Sequence, residues 1–245
     1  STPSGPRKSR MFSTDTVAIE PRQDQGRTGH ALPQARFTPA LFNRRSVRRY
    51  LPEQPPLELI NTLLEMAVCA PSAHNRQPWR FVVIRSHDKK AKLARAMGDK
   101  LERDRLADND DPTDVKNDVA RSFARITNAP TLILLCVTMA EMDSYRDANR
   151  NQHEFCMATQ SVAMAGQNIM LGAQATGLSS CWMCAPMFCP TLVQTTLDLP
   201  EDWIPQGMLT VGYPANAGKP FVRKPLEDVV AYIDDAPSAM SRSFS

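Results

Sequence analysis

Two short segments carry residues whose types and spacing can do chemistry. The first is Arg44-Arg45-Ser46-Val47-Arg48-Arg49-Tyr50. Guanidinium groups offer forked donors that match phosphate oxygens, so four arginines and a serine in six residues can grip a phosphate. The second is Ala70-Pro71-Ser72-Ala73-His74-Asn75-Arg76-Gln77-Pro78-Trp79. Its Ser72, Asn75 and Gln77 side chains can hydrogen-bond the polar edge of a ring. A phosphate grip and a ring grip together point to a nucleotide-like cofactor. The plainer readings are a solvated basic face for the first and a polar helix–strand loop for the second. Arg223-Lys224, a second basic cluster in a Pro-flanked loop, strengthens the phosphate reading. The second segment runs into an apolar strand, and loops held at strand ends are where ligand contacts concentrate.

Other chemistry is poorly represented. Cys181-Trp182-Met183-Cys184 has the spacing of a redox or zinc pair. Only four histidines occur, and no second ligand pair stands at suitable spacing. A core strand leading into a ligand loop is the better reading of that segment. There is no Gly-rich phosphate loop, no dinucleotide fingerprint and no nucleophile elbow. If a nucleotide binds, side chains must hold it.

The elements that position these residues alternate along the chain. Pro55-Pro56 opens a helix carrying Leu57, Ile60, Leu63, Leu64, Ala67 and Val68, and Pro71 ends it. Trp79–Ile84 reads as a strand. Residues 88–105 and 114–127 read as charged amphipathic helices around an acidic, solvated break. The continuous apolar run Thr131–Thr138 predicts a strand buried on both faces. Asn151–Thr176 predicts a long helix lined with small residues and closed by Gly177. Ser179–Met183 reads as a strand, Pro190–Leu197 as a short helix and Met208–Val211 as a final strand.

The chain has 245 residues, 42% of them hydrophobic, enough for a sizeable core. A net charge of +3 is too small to argue for nucleic acid. No apolar run is long enough to span a bilayer. The lack of a secretory leader and the six cysteines, set mostly in apolar surroundings, predict buried thiols in a cytoplasmic protein. Residues 1–36 read as a flexible extension, 37–236 as the folded domain and 237–245 as a flexible tail.

Four motifs in order give the chain a resemblance to the flavin-dependent nitroreductase family over about residues 38–232. They are Arg44–Arg48, Ala70–Trp79, Gly177–Trp182, and Gly212-Tyr213-Pro214 followed by Arg223-Lys224-Pro225-Leu226. The resemblance implies an α+β three-layer sandwich, with a central, mainly antiparallel sheet flanked by helices. It also implies an intertwined homodimer with FMN at the interface, NADH or NADPH as donor, and a small-molecule acceptor. No nucleic acid and no membrane is expected as partner. Arg44, Ser46 and Arg48 match residues that hold the FMN phosphate and ribityl chain, with Arg45 between them. Arg223 matches a late basic residue at the phosphate. Pro71, Ser72, Ala73 and Asn75 match a loop reaching the flavin from the other subunit, supported by Gln77. The backbone of Trp182, Met183, Cys184 and Ala185 matches the segment near flavin N5. The flavin carries the chemistry, so no catalytic side chain and no metal are expected. Residues 177–214 are more narrowly similar to the reductase domain joined to the γ-glutamyl ligase of deazaflavin (F-420) coenzyme biosynthesis, which acts on a dehydro precursor.

Overall fold

A computed structural model describes residues 37–233. The expected extension 1–36 and tail 237–245 lie outside the described residues. The elements run α1 (Phe37–Asn43), α2 (Leu57–Ala67), β1 (Trp79–Ile84), α3 (His87–Ala107), α4 (Pro112–Thr127), β2 (Thr131–Val137), α5 (Ala148–Ala175), β3 (Ser179–Met183), α6 (Pro190–Leu197) and β4 (Ile204–Gly212). The strands form one antiparallel sheet in the order β1-β2-β4-β3.

Strand β2 shows why three layers form. All seven of its residues are buried. Side chains alternate faces along a strand. Ile133, Leu135 and Val137 therefore join a core with α2 and α5, and Leu132, Leu134 and Cys136 join a second core with α3, α4 and α6. The fold is thus the expected α+β sandwich, an antiparallel sheet flanked by helices.

Local chemistry sets the helix ends. Ser86 caps α3 and accepts from Lys89 N. Asp111 caps α4, accepting from Thr113 N at 2.8 Å and Asp114 N at 3.1 Å, with Pro112 in the first turn. The acidic break is therefore more than solvated surface. Asp110 and Asp118 also grip Arg105, each at 2.5 Å, and tie the α3–α4 hairpin together. Asp147 caps α5 three residues earlier than the apolar pattern predicts. Gly177 adopts φ +83 just past the end of α5, as its placement there requires.

Strand β4 begins at Ile204, four residues before the expected start. Pro205 and Gly207 read as strand breakers, and the sheet accommodates both. Pro205 faces Cys136 at the register shift between Leu135 and Cys136, where a missing N–H is tolerated. Gly207 makes room for the Trp182 ring, whose Cζ2 lies 2.4 Å from where a Cβ would stand. The opposite side of that ring system is cleared by Gly166 of α5, with Cζ3 also at 2.4 Å. The expectation of mostly buried thiols holds for Cys136, Cys181 and Cys189, whereas Cys69, Cys156 and Cys184 are exposed.

Candidate active site: a basic cleft on the β3 edge

The arginine segment lies along the edge of β3. Ser46 forms a parallel bridge with Ser180, and Tyr50 an antiparallel one with Pro214. Val47 is buried, and its N–H donates to Ser180 O at 3.2 Å. The Tyr50 hydroxyl binds Val47 O at 2.5 Å and Thr210 Oγ1 at 2.7 Å. These pins turn Ser46 and Arg48 outward, where both are exposed. The turn 215–218 closes over the segment, with Ala215 N donating to Arg49 O at 3.0 Å.

A cleft of about 200 Å³ results, lined by Arg44, Arg45, Ser46, Arg48, Phe221 and Arg223, with Lys219 and Pro220 at its side. Phe221 organises it. The Arg45 guanidinium carbon lies 4.0 Å from the ring centroid and that of Arg223 3.7 Å. Arg45 also donates to Phe42 O and Arg44 O, and Arg48 to Ser46 O. None of these cations joins an ion pair with a carboxylate among the described residues. Burial, and next the charges of Arg223 and Arg45, press the Arg44 guanidinium below its ordinary pKa. A cluster of cations without counter-ions is a receptor for an anion with several oxygens. Lys219 and Phe221 were not singled out by the sequence reading, although the run Lys219–Lys224 carried a signal in its mixed basic and aromatic residues.

The same edge continues toward Cys184. Ser180 turns its carbonyl outward to Val47. Backbone groups alternate sides along a strand, so Trp182 also turns its N–H and C=O outward. No backbone acceptor takes the Trp182 N–H among the described residues. Cys184 is exposed at the start of a 3-10 turn over Ala185–Phe188. It stands four residues beyond Ser180, about 13 Å along the strand. The cleft and the free edge therefore form one continuous track. The Trp182 side chain points the other way, between Gly166 and Gly207.

The loop Pro71–Gln77 is elsewhere. His74, Asn75 and Gln77 hold φ values of +50, +54 and +50, left-handed values that cost non-glycine residues energy. Tethers over-determine this shape. Ser72 Oγ accepts from Gln77 N at 3.0 Å, Ser161 Oγ of α5 accepts from Ala73 N at 3.3 Å, and Arg76 pairs with Asp143 at 2.8 Å. Pro78 O accepts from Thr138 N at 2.9 Å, fixing the loop at the start of β1. That corner is level with Val137, and Ser46 is level with Thr131 by way of Ser180 and Val211. The two segments are separated by about 20 Å along the strands and about 19 Å across four strand spacings. One chain therefore does not bring its phosphate-type and ring-type motifs together.

Comparison with known proteins agrees with this architecture. The nitroreductase family model matches residues 41–213. An NADH dehydrogenase from Thermus thermophilus is 31% identical over 225 residues, covering 82% of this chain and 98% of that protein. A protein from Desulfovibrio desulfuricans solved in complex with FMN is 24% identical, covers 81% of this chain and 96% of its own, and superposes with a TM-score of 0.63. A BluB-like flavoprotein from Clostridium difficile is 23% identical, with a TM-score of 0.66 over 80% of this chain and 98% of that one. The fold and the basic β3 edge define an α+β oxidoreductase sandwich. The chain belongs to the nitroreductase family.

Proposed function

We infer that the protein is an FMN-dependent oxidoreductase that takes a hydride from NADH or NADPH and delivers it to a small conjugated or nitroaromatic acceptor. The observation that carries this reading is the uncompensated cationic cleft continuous with the free edge of β3. The residues fit the cofactor. Arg44, Arg45, Ser46, Arg48 and Arg223 suit the phosphate in charge and donor count. The outward N–H of Trp182, or that of Cys184, suits the N5 edge of the ring. FMN supplies two-electron hydride chemistry when bound. The protein's part is to anchor the phosphate, hold the ring against β3 and exclude competing partners. Donor and acceptor taking turns in one pocket give ping-pong kinetics.

The reading includes a homodimer. The corner-to-corner separation of the two motifs supports it, because the strained loop Pro71–Gln77 of one chain would complete the track of a second. Bare apolar side chains on 222–233 support it too: Val222 is 95% and Ile233 97% exposed. No helix among the described residues is long and apolar enough to cross a membrane. Six free thiols suit a reducing compartment such as the cytoplasm. The narrower resemblance of 177–214 is supported by sequence alone. Turnover of a dehydro-deazaflavin precursor, with weak activity on nitroaromatics, would select it.

The test is the visible spectrum of FMN-loaded protein on adding NADPH or NADH without oxygen. Bleaching, followed by recovery with a nitroaromatic, is expected. Flavin that binds but never bleaches would make the protein a flavin-binding module without turnover.

A further inference from the structure

Glu154 is a buried acid for which the phosphate cleft has no use. It is 2% exposed and stands on the face of α5 that carries buried Ala158, Ser161 and Val162. Acidic side chains are almost never buried to that degree without a partner of opposite charge. Glu154 joins no ion pair among the described residues. Its carboxyl accepts one hydrogen bond there, from Asp143 N at 3.2 Å. An apolar residue would fill this face without the cost of burying a carboxyl, so what the carboxyl provides is its hold on Asp143.

Asp143 lies in the segment 138–147, which joins β2 to α5. Both ends of the segment are pinned. Thr138 Oγ1 donates to Asp202 Oδ2 at 2.8 Å, and Met139 and Met142 pack on the core shared by α2 and α5. Tyr145 and Asn151 exchange hydrogen bonds at 2.8 and 2.9 Å. From this base Asp143 Oδ1 accepts from Arg76 Nη2 at 2.8 Å. Arg76 is the inward residue of the strained loop. It is half-buried, and its Nε is shielded with no acceptor among the described residues, whereas His74, Asn75 and Gln77 beside it are exposed. The loop meets α5 directly at Ser161, seven residues or about two turns from Glu154. Helix α5 therefore holds the loop at two points, by Ser161 itself and by Glu154 through Asp143. A half-exposed ion pair is weak when two free side chains must be ordered to make it. Glu154 has already fixed the Asp143 backbone, so this pair acts from a rigid base. None of the three residues lines the phosphate cleft.

We propose that Arg76, Asp143 and Glu154 are positioning residues, a chain from α5 to the strained loop that fixes the angle at which Asn75 and Gln77 are presented to the flavin ring bound by a partner chain. It rests on the oxidoreductase and homodimer reading above. The chain acts through Asn75 and Gln77 and touches no reacting atom itself.

Three variants test it. Asp143→Ala removes the ion pair, Glu154→Leu removes the acceptor for Asp143 N while filling the space, and Glu154→Gln keeps an oxygen for that N–H. Amide hydrogen exchange of the full chain without FMN reads the loop directly. Residues 73–77 should exchange about threefold faster or more in Asp143→Ala and Glu154→Leu, and at the wild-type rate in Glu154→Gln. Leucine in place of a buried acid leaves the global urea midpoint unchanged or raised. Unchanged exchange in the loop overturns the proposal. Faster exchange spread evenly through β2 and α5 also overturns it, since the chain would then hold only the fold. The second readout is the midpoint potential of bound FMN, which loosened donors at the polar edge of the ring should move to more negative values in the same two variants and not in Glu154→Gln. A loosened loop with an unchanged potential overturns the positioning role. If the wild type takes up no FMN, the oxidoreductase reading fails instead, and the exchange rates alone decide whether the chain holds the loop.

Discussion

At the residue scale, burial changes what single groups do. Cys136 lies at the centre of the sheet, and burial pushes its thiol up to about 12 from an ordinary 9.0. The folded state therefore holds this proton more tightly than the unfolded state. Stability from Cys136 is complete below pH 9.0 and is lost as pH rises toward 12. Urea midpoints measured from pH 8 upward should fall in this window, and Cys136→Ala should flatten part of the fall. Equal slopes in both proteins would remove Cys136 from the account. Arg44, Ser46, Arg48 and Arg223 were legible as a phosphate-type cluster because their donor chemistry shows in residue type alone. Phe221 was not, because its part shows only once Arg45 and Arg223 are placed over its ring.

At the element scale, the sheet depends on small residues opposite one large one. The Trp182 ring lies between α5 and β4 because Gly166 and Gly207 leave it space. Gly207→Ala places a methyl on a rigid indole that Gly166 already borders on its other side, so a loss of about 1–3 kcal/mol is expected. Equilibrium unfolding in urea measures it, and wild-type stability would contradict the packing described. Gly166→Ala should behave similarly, and the pair should be non-additive because both press on one ring. Strands β1 and β3 and helix α6 were legible to the residue, since alternation, Pro and Gly mark their ends. The start of β4 was not, because a proline at a bulge and a glycine under a tryptophan look like breaks until the partner strand and the ring are placed. The short helix α1 and the left-handed loop 74–77 lack periodicity altogether.

At the scale of the whole molecule, the homodimer reading makes each chain half of two sites. Its basic cleft and its strained loop stand at different corners of the sheet, a separation that residue spacing alone did not reveal. The homodimer reading predicts sedimentation at twice the 27.3 kDa chain mass. Removing residues 226–245 takes away exposed Leu226, Val229, Tyr232 and Ile233 and should shift the protein toward monomer. A truncated chain that dimerises as tightly as the full one would show that these side chains cover nothing across the interface. The most direct measurement is the FMN dissociation constant of the wild type beside Arg44→Ala. The account predicts tight binding by the wild type and a dissociation constant raised at least about tenfold in the variant, the effect of one lost charge-assisted bond of about 1.5–3 kcal/mol. Equal affinity in the two proteins would contradict it, because the cleft would then not be where the phosphate sits.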